Sequence, residues 1–177
     1  MIQLRVQREG VKRIRISGLE PYMVNCLLSL IEILEDVDVS PARDRLYPNP
    51  TRGDEKINAE WERLVTPELR HLFVSATETV ARDLTGLKPD PQNASLSEIV
   101  FPTPHLNAWM CALNQARLVL AESFGVTEAD MNTIDFPILD TKAIGIMKIH
   151  LLGGLLALLV ELESEPEETG DGPEISL

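Results

Sequence analysis

The stretch that decides the fold is His105–Gly125, with the sequence HLNAWMCALNQARLVLAESFG. Its apolar side chains recur at spacings of three and four, the period of one face of an α-helix; they are Leu106, Trp109, Leu113, Ala116, Leu120 and Phe124. Thr103 and Pro104 come just before it, and both residue types are common where a helix begins. Gly125 ends it, because glycine adopts the left-handed conformation after a helix at little cost. The sequence therefore predicts one long amphipathic helix.

Two polar residues, Asn114 and Arg117, interrupt this apolar pattern. They lie three positions apart and share a helix face, which Trp109 and Leu113 border. An arginine against an apolar core needs a carboxylate or carbonyl partner, because an unpaired buried charge is very costly. We interpret the pair as a structural polar network that fixes the register of the helix. An anion or partner site, and plain solvent exposure, are the less favoured alternatives.

The residues that precede Gly18 are predicted to form a β-hairpin. Apolar and polar residues alternate in residues 2–7 and again in the run that starts at Val11. Strict alternation is typical of strands with one buried face. An isolated hairpin is only marginally stable in water, so helices are expected to cover its apolar face.

The apolar faces of the hairpin suggest a register. Keeping them together sets Leu4 opposite Ile16 and Val6 opposite Ile14. Residues 9–11 then form a three-residue loop with a glycine, a common hairpin connection.

The same register sets Arg5 opposite Arg15, with Arg13 beside Gln7. Like charges directly opposite each other are unfavourable. We therefore expect Arg5, Arg13 and Arg15 to meet something acidic. The protein's own carboxylates are the first choice, a partner protein is the second, and nucleic acid is the third.

Helical periodicity continues on both sides of the central helix. The predicted helices are one that starts at Pro21 and extends through Leu34, Lys56–Leu64, Thr66–Thr85, and a last helix capped by Asp140 and extending to Leu162. Two proline-rich connections, Val37–Asp54 and Leu87–Thr103, separate them. Within the second, Glu98–Phe101 is compatible with a third short strand beside the hairpin. The predicted fold is mainly α, a helical bundle with an N-terminal β-hairpin.

The last helix is apolar around nearly its whole circumference, which is typical of a buried helix or a membrane span. Its uninterrupted apolar run, Leu151–Val160, is much shorter than the roughly 20 residues that a membrane span needs. We predict a core helix, or a core helix with a spare face for a homodimer, and no membrane. Gly153 and Gly154 suggest close backbone approach, to the central helix or to a symmetry mate.

Charge is concentrated at the C-terminus. The chain has 177 residues and a net charge of −12, and the residues from Glu161 onward include seven acids and no base. Such a segment buries too little apolar surface to order itself. We predict a single domain over residues 1–164 and a disordered acidic tail over residues 165–177. The negative charge argues against a general nucleic-acid coat protein.

Motifs that carry chemistry are not recognisable. There is no phosphate-binding glycine loop, metal-ligand spacing or nucleophile elbow, so we predict no cofactor, no metal and no enzyme activity. Cys26 and Cys111 lie on predicted helices among apolar residues, where thiols are usually inert; a redox disulfide is the less favoured alternative. With two cysteines and no signal peptide, the expected location is the cytoplasm.

The central helix resembles a bacterial family. The matching residues are Trp109, Ala112–Asn114, Arg117–Leu118, Leu120 and Gly125–Glu128, with Glu62–Leu64, Thr66 and Glu68–Arg70 before them. This family, long described as a domain of unknown function, is now labelled after the oxidative-stress regulator AosR and is often encoded beside the Clp protease adaptor. The resemblance implies a helical, non-enzymatic, stress-linked transcriptional regulator acting through protein contacts. This chain lacks the closely spaced cysteine pair of a redox switch, and it has no recognisable helix-turn-helix.

Three hypotheses for function follow. The first is a cytoplasmic interaction or regulatory protein, with a homodimer as one arrangement, whose unidentified protein partner meets the hairpin, the tail or the region of Trp109. The second is a transcription-linked regulator that contacts DNA or polymerase through Arg5, Arg13 and Arg15. The third is a small enzyme with an unrecognised site, which would require a pocket with converging polar groups.

Overall fold

Helices make up most of the protein. A computed structural model describes residues 4–35, 41–131 and 141–164. In these residues the helices are α1 (Pro21–Leu28), α2 (Leu30–Glu35), α3 (Arg43–Leu46), α4 (Glu55–Leu64), α5 (Thr66–Leu84), α6 (Leu106–Ser123), α7 (Glu128–Met131) and α8 (Thr141–Ser164). The mainly α prediction is confirmed. The predicted cap Asp140 and the predicted tail 165–177 lie outside the described residues.

A four-stranded antiparallel sheet accompanies the helices. Its strands are β1 (Arg5–Glu9), β2 (Arg13–Leu19), β3 (Lys88–Asp90) and β4 (Asn93–Pro102), in the order β1-β2-β4-β3. The hairpin prediction is confirmed. The third strand, predicted over Glu98–Phe101, is the second half of the longer β4, and β4 pairs with β2 as expected. Sequence reasoning missed β3, because a strand of three residues with a central proline has no alternating pattern.

The predicted hairpin register is wrong by two residues. Val6, not Leu4, lies opposite Ile16, and Arg5 lies opposite Ser17 rather than Arg15. The loop accordingly consists of residues 10–12, and Gly10 has a φ of +65°. A shift of two residues keeps every side chain on its own face of the sheet, so the apolar pattern alone cannot distinguish the two registers.

The central helix α6 forms as predicted. Residues Thr103–His105 make a 3₁₀ turn that leads into it. At its other end Gly125 has a φ of +57°, the conformation for which glycine is favoured. Thr127 and Asp130 then form a capping box, because each side chain accepts from the other's backbone N–H. Hydrogen bonds from Lys142 and Thr127 lower the pKa of Asp130 to about 2.

The main core lies between the sheet and the two long helices α6 and α8. Trp109 is fully buried and stacks on Phe101 of β4, with ring centroids 4.8 Å apart and planes inclined by 16°. Further buried members come from every layer; they are Ile14, Ile16, Leu19, Leu27, Leu30, Val80, Ile99, Leu113, Leu152, Leu155 and Leu159. The sheet and α8 contribute the residues of their inner faces to this core, and their outer faces are not part of it.

Two local predictions need correction. The helix that begins at Pro21 is divided at Ser29, whose hydroxyl donates to the backbone carbonyl of Cys26 at 2.8 Å. A side chain that bonds to its own helix in this way favours a break. The predicted loop Val37–Asp54 contains the short helix α3, where Leu46 and Tyr47 are buried in a second, smaller cluster. A helix of four residues is too short to give a periodic signal.

Candidate functional site

The outer face of the sheet carries a network of charged residues. Glu98 of β4 is 1% exposed and accepts from Arg15 of β2 at 2.5 Å, and Nζ of Lys88 lies 3.2 Å from its other oxygen. Arg15 also donates to Glu9 of β1. The hydrogen bond with Arg15 lowers the pKa of Glu9, and hydrogen bonds with Glu9 and Glu98 raise the pKa of Arg15. Both shifts favour the charged forms of this pair.

The predicted basic surface is largely neutralised by this network. Nε of Arg13 lies 3.5 Å from Glu9, and Arg15 is held between Glu9 and Glu98. Arg5 is exposed on β1, opposite Ser17. The three arginines thus do not form one open cationic patch: two of them already face the protein's own carboxylates. Sequence reasoning missed Glu98, whose place in an alternating strand gives no sign that a cation lies opposite.

Trp109 is not available as a contact residue, contrary to its place among the candidate interaction residues. Its side chain is 0% exposed, and its Nε1–H donates to Oδ2 of Asp83 at 2.9 Å. The same oxygen lies 2.9 Å from Nδ1 of His105. A buried indole N–H needs such an acceptor. Asp83 therefore ties the end of α5 to the start of α6, a structural role that no sequence motif signals.

Asn114 and Arg117 have different surroundings. Asn114 is exposed, whereas Arg117 is half-buried against α8. The guanidinium of Arg117 lies over Gly153, where a Cβ would come within 3.3 Å of Nε. That Nε is buried and has no hydrogen-bond partner among the described residues. Gly153 thus makes room for the side chain of Arg117, a residue of the central helix. Of the two partners suggested from the sequence, the central helix and a symmetry mate, the contact is with the central helix.

The two cysteines are free thiols in different surroundings. Cys26 is 2% exposed in the main core, and burial raises its pKa. Cys111 is half-buried, its Sγ accepts from Nε2 of Gln115 at 2.9 Å, and burial raises its pKa as well. A raised pKa keeps a thiol protonated and weakly nucleophilic. In the described part of the chain, no group of three or more His, Cys, Asp or Glu side chains could hold a metal ion.

The outer face of α8 is an apolar stripe without a partner in the described fold. Met147 is 46% exposed, Gly154 and Ala157 are exposed, and Leu151 and Leu158 are half-buried. These positions follow the three- and four-residue spacing of a helix seam. Exposed His150 and Glu161 lie within the same stripe, toward its two ends. By length and composition α8 could also cross a membrane, but a core helix of a soluble protein passes the same test.

The family model described as "Domain of unknown function (DUF2017)" matches residues 28–171. This range includes α8, the central helix and all the residues on which the resemblance noted from the sequence rests. No curated protein and no solved structure is significantly similar to the chain.

Proposed function

The chain belongs to the DUF2017 family, and from that premise we propose that it is a non-enzymatic, cytoplasmic interaction protein that pairs with a second copy of itself through α8. The observation that carries the proposal is the apolar outer face of this helix. A protein with a net charge of −12 has ample polar surface, yet it leaves Ile144 and Met147 on this face 42% and 46% exposed. Contiguous exposed apolar surface is typical of an interaction site.

The stripe on α8 is self-complementary in one arrangement. An antiparallel pairing of two α8 helices about a two-fold axis would bring His150 opposite Glu161 of the second copy. The same axis would bring Gly154 opposite Ala157, two small residues that allow close backbone approach. Because a two-fold interface repeats each contact, both ends of the seam would carry the His–Glu pair. Gly154 supports this arrangement. A Cβ at this position would meet nothing within 4 Å, so packing among the described residues does not require a glycine there. Close approach of a second copy would require one.

A stress-linked transcriptional regulator is the second candidate function. The family match over residues 28–171 covers the central helix on which the resemblance to the AosR-labelled family rests. Such a regulator would act through protein contacts, for which the α8 face is suited. Contact with DNA through the hairpin is less well supported, because Arg13 and Arg15 are engaged by Glu9 and Glu98.

Sedimentation equilibrium of the full chain tests the self-association. We expect a concentration-dependent dimer, and we expect Met147→Glu together with Ala157→Glu to yield the monomer, because four added carboxylates would lie in the apolar seam. The matched control is Leu72→Glu, the same kind of change at a 55% exposed position on α5. It should leave the dimer unchanged.

Charge exchange tests the antiparallel geometry. Glu161→Lys should weaken the dimer, and adding His150→Glu should restore it, because opposite charges would then face each other. A monomer at every concentration, or a dimer insensitive to all α8 variants, would refute the α8 interface. Co-sedimentation of the intact chain with lipid vesicles, lost on Met147→Glu, would favour a membrane contact instead.

A further inference from the structure

We infer that a cavity between α2, α3, α5 and α6 binds a small, neutral, mainly apolar molecule that carries one hydrogen-bond donor. The cavity has a volume of about 370 Å³. Pockets of this size are typical of small-molecule sites. It is lined by residues of all four helices and by Tyr47, which follows α3. The inference does not depend on self-association, because the stripe on α8 contributes none of the lining residues.

The walls of the cavity are apolar and partly aromatic. The rings of Tyr47 and Phe73 stack with centroids 5.6 Å apart and an interplanar angle of 27°. Leu34 and Leu46 complete the inner wall, and both belong to or pack on the smaller core cluster with these rings. Aromatic side chains in a lining favour an aromatic ligand, because contacts between rings add to the burial of apolar area.

One buried polar group gives the cavity its chemical preference. Gln115 of α6 lines the cavity and is only 4% exposed. Its amide nitrogen is used, since Nε2 donates to Sγ of Cys111 at 2.9 Å. Its amide oxygen accepts from no group among the described residues. An O–H or N–H on a ligand in the cavity would supply the donor that this oxygen lacks among the described residues.

Charges at the edge of the cavity disfavour an anionic ligand. Glu35 and Glu78 contribute two carboxylates to the lining, against the single guanidinium of Arg70. An anion would therefore meet net repulsion. Among the other polar side chains of the lining, Thr77 already donates to the backbone carbonyl of Phe73 at 3.0 Å. The chemistry that fits is a neutral aromatic molecule with a phenol- or indole-like donor.

Binding of 2-naphthol and of naphthalene to the full chain tests the inference. The two probes share their ring system, and only 2-naphthol has an O–H donor. We expect 2-naphthol to bind about tenfold more tightly, the effect of one well-placed hydrogen bond, and 2-naphthoate, an anion, to bind more weakly than either. Backbone amide shifts in NMR spectra should change first at residues that line the cavity.

Two variants locate the probe. Gln115→Leu keeps the side-chain size and removes the acceptor, so the preference for 2-naphthol over naphthalene should disappear. Ala81→Phe fills the cavity and should abolish binding of both, whereas Ala59→Phe, at an exposed position on α4, should change neither. Equal affinity of the unaltered chain for both probes, absence of binding, or shifts confined to residues outside the cavity would each overturn the inference. The comparison of probes on the unaltered chain decides the matter even if a variant fails to fold.

Discussion

At the scale of single residues, the polar groups that matter most are those whose partners come from distant parts of the chain. Glu98 is buried on the outer face of the sheet between a cation from β2 and a cation from β3. The two cations differ in exposure: Arg15 is 25% exposed and Lys88 is 57% exposed. An exposed cation is well solvated without its partner, whereas a buried carboxylate depends on the cation that covers it.

Arg15→Met is therefore expected to lower the free energy of unfolding by about 3 kcal/mol, because it removes the guanidinium that covers the buried Glu98 and leaves only the exposed Lys88 beside it. Lys88→Met, the matched change at the exposed partner, should cost less than about 1 kcal/mol. Urea denaturation of both variants at neutral pH gives the comparison. Equal losses would contradict the role assigned to Arg15.

At the scale of elements, α8 contains three glycines in three different environments. A Cβ at Gly145 would lie 2.5 Å from Cγ of Phe124 and 2.8 Å from its Cβ, whereas a Cβ at Gly154 would meet nothing within 4 Å. Gly153 lies between these extremes, under Arg117. Helix propensity disfavours all three glycines equally, so packing alone distinguishes them.

Gly145→Ala is expected to destabilise the protein by about 1–3 kcal/mol, because the aromatic side chain of Phe124 cannot withdraw without moving its own backbone. Gly154→Ala should instead stabilise the monomer by up to about 1 kcal/mol through helix propensity. Both changes are best measured by thermal unfolding in the Met147→Glu, Ala157→Glu background, where self-association does not contribute. A stabilising Gly145→Ala would show that α8 does not pack closely on Phe124.

At the scale of the whole molecule, the distribution of charge argues against a nucleic-acid surface. The net charge is −12, and Arg13 and Arg15 of the hairpin are paired with carboxylates from β1 and β4. Proteins that bind DNA through its phosphates present unpaired cations on one face. The described surface does not offer such a face on the hairpin.

The full chain is accordingly expected to pass through a DNA column at low salt without retention. Arg5→Ser, Arg13→Ser and Arg15→Ser together should leave that behaviour unchanged. Retention that falls steeply as salt rises, and that the triple variant removes, would instead support DNA contact through the hairpin.

Local pattern in the sequence was enough to predict most helices and the hairpin. The long helices α5, α6 and α8 span 18 to 24 residues, which is enough for a helical pattern to show, and glycine or Thr-Pro signals mark the ends of α5 and α6. Short elements such as α3 and β3 were missed because three or four residues cannot define a period. The sequence identified the arginines of the hairpin and the apolar last helix as candidates for a site. It did not identify Glu9 and Glu98 as the carboxylates that pair with Arg13 and Arg15.

The sequence by itself determined which face of each element is apolar, because that depends only on the spacing of neighbours along the chain. Only the tertiary structure decided the register of the hairpin, the burial of Glu98 between two cations and the acceptor that Asp83 provides for Trp109. It also decided that Gln115 lines a cavity and that one side of α8 has no partner within the described fold. These features depend on residues far apart in the chain, and no local period carries information about which of them will meet.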